Sequence, residues 1–333
     1  MSVKSDVLRL LESHRSEDLS GQQIAELLGV SRTAIWKAVR SLEEDGYEIK
    51  AANNRGYRLT ENNDVLSEAG VRLKLEEPYA GGEIVVLKQT DSTNQEVKRR
   101  ALDGAEDGLI VIAEEQTAGK GRKGRNFYSP KGPGIYMSML FRPQGKKAEN
   151  VVLITTATSV AICRAIRKVF HEEPQIKWVN DVYFRGKKIC GILTEAVSDF
   201  ETGGIDVVVV GIGINYKEPN GGFPEEIRET AGAICDANEC VPRNDLVAAV
   251  INELYCLYDE LEEKKFMDDY RKMSNVIGKE VRFSTGYESV APEESAWEYG
   301  KAVDIDEDGG LVVEVNGEKK VLRTGEITLR VCK

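Results

Sequence analysis

Between Gly119 and Arg125 the chain sets four cations among seven residues, Lys120, Arg122, Lys123 and Arg125, spaced by Gly119, Gly121 and Gly124. Such a segment repels itself and has high backbone freedom, so an anion that neutralises it could order it. The chemistry it suits is closure over phosphate or carboxylate groups; a plain surface loop is the alternative. Its glycines match G-x-G-x-x-G literally, but that dinucleotide fingerprint opens an apolar helix. Here Asn126-Phe127-Tyr128-Ser129-Pro130-Lys131-Gly132-Pro133 follows, and two prolines exclude the helix.

A second candidate is Asp91-Ser92-Thr93-Asn94. Ser92 stands three residues before Gln95, a capping box at the end of the β-branched run 83–89. Hydroxyls and an amide at a helix N-terminus suit a small polar ligand, although ordinary capping explains them equally. Further polar groups stand in Lys177-Trp178-Val179-Asn180-Asp181 and at Lys188, ahead of Gly191-Ile192-Leu193. The glycines of Gly211-Ile212-Gly213-Ile214-Asn215 let another backbone or a ligand approach closely.

The elements that must position these groups read as an α/β core. Strands are expected over 83–89, 109–115, 134–142, 175–178, 181–184 and 206–210, with helices over 148–169 and 243–262. From about residue 277 the pattern turns to short strands at 280–283, 297–304, 311–315 and 319–322. Asp308-Gly309 and Asn316-Gly317 supply tight turns there, so a small β-barrel is expected.

The first sixty residues read differently. Val7, Leu10 and Leu11 share one face of a first helix. Ser20 and Gln23 form a capping box for a second, with core positions Ile24, Leu27 and Leu28 and a Gly29 cap. Ser31 caps a third, whose stripe is Ile35, Ala38, Val39 and Leu42. Its other face carries Arg32, Thr33, Trp36, Lys37 and Arg40, with no acid between residues 31 and 40. One-sided positive charge on a helix suits phosphate contact and reading of the DNA major groove. Residues 47–49 and 56–59 bracket Ala52-Asn53-Asn54-Arg55 as a hairpin wing, with Arg55 a further DNA candidate. A packing module with a solvated charged face is the alternative. Residues 60–64 read as a polar linker.

The chain's 333 residues predict two or three domains. A net charge of −11 argues against a protein coated for nonspecific nucleic-acid binding, though not against a local basic face. Only His14 and His171 are present, which leaves little for a Ser-His-Asp hydrolase or a histidine metal centre. Six scattered cysteines form no C-x-x-C pair and are expected to be reduced thiols. No metal-ligating set is expected from the protein alone. No apolar run reaches 18 residues and no secretory signal opens the chain, so a cytoplasmic protein with no membrane contact is expected.

Taken together, these motifs resemble the bifunctional biotin protein ligase / biotin operon repressor family. The resemblance rests on Asp91–Asn94, Gln116, the Gly119–Arg125 loop, Ser129-Pro130, Lys177–Asp181, Lys188 with Gly191–Leu193, and Gly211–Asn215. It implies an α+β multidomain protein. A winged helix-turn-helix would occupy residues 1–62, a class II synthetase-like biotin ligase core 63–275, and an SH3-like β-barrel 276–333. It implies that biotin and ATP, with Mg²⁺, give biotinyl-5'-AMP, from which a carrier lysine displaces AMP. It assigns biotin contacts to Ser92, Thr93, Asn94, Gln116, Lys120, Gly121, Arg122, Lys188 and Gly191. The nucleotide loop would be Gly119, Lys120, Gly121, Arg122, Gly124 and Arg125, with Asn215. Lys188, Arg122, Asn180 and Asp181 would surround the reacting centre. Implied partners are the biotin carboxyl carrier protein of acetyl-CoA carboxylase or a related carboxylase, operator DNA, and a second copy once the adenylate is bound. Val179 stands where the family usually has proline, and Lys120 where many members have arginine. A lipoate or octanoyl transferase of related fold would need neither the winged helix nor this loop. A biotin sensor without catalysis would not need Lys188.

Overall fold

A computed structural model describes residues 2–15, 17–52, 56–60, 63–143, 151–198, 204–235, 241–284, 297–323 and 328–331. The chain divides into two units, residues 1–81 with 240–249, and residues 82–239 with 250–333.

In the first unit, α1 (Val3–Ser13), α2 (Gly21–Leu28) and α3 (Arg32–Glu44) bury Val7, Leu11, Ile24, Ile35, Val39 and Leu42 in one core. The local signals in the sequence account for the helix ends. Ser20 and Gln23 make the reciprocal capping box, Gly29 closes α2 at φ 65°, and the Ser31 hydroxyl accepts from Ala34 N–H. Leu27, assigned to the core, is instead exposed. Strands β1 (Ile49–Ala52) and β2 (Gly56–Leu59) pair antiparallel as the wing. Gly56 is obligatory there, because its φ is 109° and a Cβ would lie 2.1 Å from the Leu19 carbonyl oxygen. Arg55 lies outside the described residues.

The end of the expected linker is anchored within this unit. The Asn63 side chain accepts from Glu48 N–H, and Asp64 accepts from the backbone and pairs with the guanidinium of Arg243. Arg243 opens α7 (Arg243–Asp259), and α4 (Glu68–Arg72) follows the linker.

The second unit centres on a seven-stranded mixed sheet ordered β3-β4-β5-β9-β8-β7-β6. Its strands are β3 (Ile84–Leu87), β4 (Ile110–Ala113), β5 (Gly134–Phe141), β6 (Gln175–Lys177), β7 (Asp181–Phe184), β8 (Lys187–Ser198) and β9 (Ile205–Asn215). Only β3 and β4 run parallel; the other neighbours are antiparallel. Helices α5 (Thr93–Leu102), α6 (Val151–Phe170) and α8 (Phe266–Met273) belong to the same unit, and β4 and β5 are buried throughout. Five antiparallel strands, β10 (Glu280–Ser284), β11 (Glu298–Ile305), β12 (Leu311–Val315), β13 (Glu318–Leu322) and β14 (Thr328–Val331), form the small C-terminal sheet. The strand β14 was not anticipated.

The expectation of reduced cysteines holds at Cys163, Cys190 and Cys256 but fails at Cys235, which is disulfide-bonded. Sequence spacing does not register a pairing made by the fold. Cys240 and Cys332 lie outside the described residues. No helix among those residues is long and apolar enough to cross a membrane.

Candidate active site

The N-terminus of α5 is built differently from a simple capping box. The Ser92 hydroxyl makes no capping bond; instead Ser92 N–H donates to Asp91 Oδ1 at 2.7 Å. Arg99 grips both Asp91 oxygens, and its hydrogen bonds hold that carboxyl well below the usual carboxylate range. Thr93 donates its N–H to Gln116 Oε1 at 2.9 Å, and its hydroxyl oxygen lies 3.1 Å from the same atom. Gln116 Nε2 in turn donates to Ser129 Oγ at 2.9 Å. Helix α5 is therefore capped from the segment after β4, which leaves the buried Ser92 hydroxyl uncommitted to the helix and beside the cavity.

Asn94 faces the other way. It is 3% exposed; Nδ2 donates to Leu193 O at 3.2 Å and to Glu195 Oε2 at 2.7 Å, while Oδ1 lies 2.6 Å from Ser138 Oγ. Both amide donors are thus committed to protein acceptors. Asn94 lies over Gly211, where a Cβ would come within 2.2 Å of its Oδ1. Two residues further along β9, a Cβ on Gly213 would meet the Phe127 ring at 2.5 Å. The glycines of 211–215 serve close approach by Asn94 and Phe127.

The cationic loop has more local order than its composition suggests. Lys120 bridges Asn126, Gly121 N–H donates to Arg125 O at 2.7 Å, and Phe127 N–H donates to Gly119 O at 2.9 Å. A short turn over Arg122–Gly124, with Lys123 at φ 56°, closes the loop on itself. Arg122 leaves it to donate to Asn180 Oδ1 at 3.2 Å. Burial pulls the Arg122 guanidinium below its ordinary value, and the charge of Asp181 opposes that shift.

Asn180 is fixed by donating Nδ2 to Ile192 O at 2.8 Å. Just before it, the Trp178–Val179 peptide is cis, and the Val179 carbonyl accepts from Tyr270 OH at 3.0 Å. Trp178 Nε1 donates to Gly309 O at 2.9 Å, anchoring this arm to the turn between β11 and β12. Lys188 Nζ lies 2.6 Å from Asp181 Oδ1. A Cβ on Gly191 would lie 3.2 Å from the same ammonium.

These groups surround one cavity of about 1030 Å³. Ser92, Thr93, Asn94, Gln116, Lys120, Gly121, Arg122, Arg125, Asn180, Asp181, Lys188, Gly191 and Asn215 all reach it, whereas Gly119 and Gly124 shape the loop without lining it. Among the described lining residues seven are Lys or Arg, and Asp181 is the sole acid. An anionic ligand is therefore favoured over a cationic one. Lys177, named in the sequence with its motif but given no role, lines it too, and the sequence reading missed Lys279, Phe127 and Tyr183, which also line it. Burial raises the Tyr183 phenol to about 12 and pushes the Cys190 thiol well above its usual range, so neither supplies a ready nucleophile. The chemistry available is anion clamping and charge stabilisation, next to a pocket of hydroxyls and an amide.

In the first unit, Arg32, Thr33, Trp36, Lys37 and Arg40 are exposed on the face of α3 opposite its core. The Arg40 guanidinium lies 5.8 Å from the Trp36 ring centroid.

A model of the biotin/lipoate A/B protein ligase family matches residues 86–215, and an HTH domain model matches residues 3–58. The bifunctional ligase/repressor BirA of Bacillus subtilis (strain 168) is 31% identical over 329 residues, 98% of this chain and 99% of that protein. BirA of Escherichia coli (strain K12) is 32% identical over 316 residues, 93% of this chain and 92% of that protein. A solved biotin protein ligase from Aquifex aeolicus, in complex with biotin and ATP, superposes with a TM-score of 0.64 at 27% identity. The match covers 75% of this chain and 99% of that one.

Proposed function

Because the chain belongs to the bifunctional ligase/repressor family, we propose that it activates biotin with ATP and also represses transcription of biotin genes. It is an ATP-dependent biotin protein ligase carrying a DNA-binding domain. The near full-length relatives are ligase/repressors, which sets the lipoate and sensor-only readings aside. The observation that carries the catalytic reading is the cavity in which seven cations surround a single carboxylate beside Ser92, Thr93 and Gln116.

In the first step a biotin carboxylate oxygen bonds to the α-phosphorus of ATP, the bond to the β-phosphate oxygen breaks, and pyrophosphate leaves. Two anions must approach each other. Lys188 and Arg122 offset their repulsion and stabilise the charge that develops on the α-phosphoryl oxygens. Lys120 and Arg125 close over the nucleotide, and Asn180 holds Arg122 in place. Ser92, Thr93 and Gln116 orient the biotin ring, with Gly191 as floor, while Asn215 faces the nucleotide. In the second step the amine of a lysine on a carboxyl carrier protein attacks the acyl carbon, AMP leaves, and an amide remains.

Asp181 is the acid in reach of a metal, and among the described residues no three His, Cys, Asp or Glu cluster to hold one. One carboxylate together with phosphate oxygens is a usual Mg²⁺ environment. Asp181 would therefore hold Mg²⁺ with the nucleotide, and the ion would neutralise phosphate charge.

Operator binding is assigned to Arg32, Thr33, Trp36, Lys37 and Arg40, with Arg55 a further candidate from the sequence. A homodimer formed on adenylate binding suits a repressor. Residues 194–197 of β8 support that reading, since they pair with β9 on one side and meet no strand on the other among the described residues. Both activities place the protein in the cytoplasm. The test is incubation with labelled biotin, Mg-ATP and an unbiotinylated carboxyl carrier domain. Label should appear on the carrier and vanish when its acceptor lysine is replaced; an unlabelled carrier would overturn the ligase reading.

A further inference from the structure

Ser138 is the one small polar residue in the buried strand β5, Glu195 follows Thr194 on β8, and neither lines the cavity described above. Glu195 Oε1 pairs with Lys98 Nζ at 2.6 Å, and Oε2 accepts from Asn94 Nδ2 at 2.7 Å. Lys98 sits one helical turn after Asn94 on α5, so the carboxylate spans two positions of the same helix face. The carboxylate can only accept, which decides which end of the Asn94 amide faces it. The amide oxygen is thereby turned to accept the Ser138 hydroxyl proton at 2.6 Å, so Ser138 Oγ accepts in turn from the Thr93 hydroxyl 2.7 Å away. Thr93 in turn holds Gln116, and Gln116 holds Ser129. A continuous hydrogen-bonded chain therefore runs from Lys98 under the cavity floor to the two groups assigned to the biotin ring.

We infer that Glu195 is a positioning residue for biotin, acting through Asn94 and Ser138 on Thr93 and Gln116; the inference rests on the ligase reading. Glu195 touches neither biotin nor the reacting atoms. Its effect is selective, because the chain ends at the ring pocket and not at the Lys188–Asp181 centre. Replacing it removes the shorter of the two acceptors of the Asn94 amide, leaves the Leu193 carbonyl alone to orient it, and so loosens the hold on Ser138.

The test is steady-state kinetics of Glu195→Ala, Glu195→Gln and Ser138→Ala with biotin and ATP varied separately, alongside thermal unfolding of the full chain. Glu195→Ala and Ser138→Ala should raise KM for biotin about ten- to hundredfold, as expected for misplaced positioning groups. KM for ATP should stay within about twofold. Glu195→Gln keeps an acceptor for Asn94 and should recover most of the biotin KM. A biotin KM within about twofold of wild type, or KM values for biotin and ATP that rise in parallel, overturns the inference. Should Glu195→Ala not fold, Ser138→Ala decides by the same criteria. A wild-type protein that makes no adenylate would overturn the ligase reading instead.

Discussion

Lys188 and Asp181 meet at 2.6 Å because β8 carries one residue more than β7 between them. Asp181 pairs with Gly191 and Val182 with Cys190, but Tyr183 pairs with Lys188, which leaves Ile189 as a bulge. In a strand without a bulge, residues 188 and 191 point to opposite faces. The extra residue brings Lys188 to the face of Asp181, Tyr183 and Gly191, while Ile189 and Cys190 are both buried. Bulges re-aim side chains in this way beside active sites.

Asp181→Asn keeps the shape of the side chain and removes its charge. Adenylate formation should slow by about a hundredfold or more, the order seen when one charge-stabilising group is removed. The melting temperature should change little, since the Lys188–Asp181 pair is partly exposed. Pyrophosphate release together with a thermal melt checks both; unchanged turnover contradicts the role given to Asp181.

Gly213→Ala brings a methyl group within 2.5 Å of the Phe127 ring. The loop end that carries Phe127 must move, and the fold should lose about 1–3 kcal/mol, as overpacking does. Urea unfolding measures the loss. A midpoint equal to wild type would show that the ring does not rest on this strand.

Burial raises the Glu195 carboxyl, but hydrogen bonds from Lys98 and Asn94 and the charges of Lys98 and Lys120 outweigh it, leaving it below its ordinary value. The native state then binds fewer protons than the unfolded chain between the two values. The contribution is fully present above the unfolded value and is lost as pH falls through the folded one. The stability gap between wild type and Glu195→Gln should therefore narrow as pH falls through and below the ordinary carboxylate range. Unfolding curves in that window test this, and a gap that stays constant speaks against the ionised pair.

Arg40 is exposed on α3 and leans towards Trp36. Arg40→Ala should weaken operator binding and lower the salt slope by about one counterion. Ligation should be untouched. Fluorescence anisotropy at several salt concentrations, run beside a ligation assay, checks the separation. Equal loss of both activities would show that the substitution acts on folding.

The winged helix was legible because its signals are local: Ser20 with Gln23, Gly29 and Ser31 each determine a helix end within a few residues. The site's members were legible as a set of motifs, but its wiring was not. Strict alternation cannot foresee a bulge at Ile189. The Ser92 box fails as a cap: Asp91 takes the Ser92 N–H that Gln95 would have received, and Gln116, 23 residues from Thr93, accepts the Thr93 N–H. Asn94 was assigned to biotin, yet its amide donors are directed into the protein, towards a glutamate about a hundred residues further along. Ser138 carries no periodic signal as one polar residue in a buried strand, and Glu195, beside Thr194 on β8, meets Asn94 only through the fold.

Lys188 is the group on which adenylate formation in this cavity depends most directly. A single-turnover measurement of biotinyl-5'-AMP from biotin and Mg-ATP, comparing wild type with Lys188→Ala, tests it. The expected result is a loss of at least about a thousandfold, near 4 kcal/mol of transition-state stabilisation, with wild-type thermal stability retained. Adenylate formed by the variant at the wild-type rate would contradict the assignment of this cavity as the centre where biotin meets ATP.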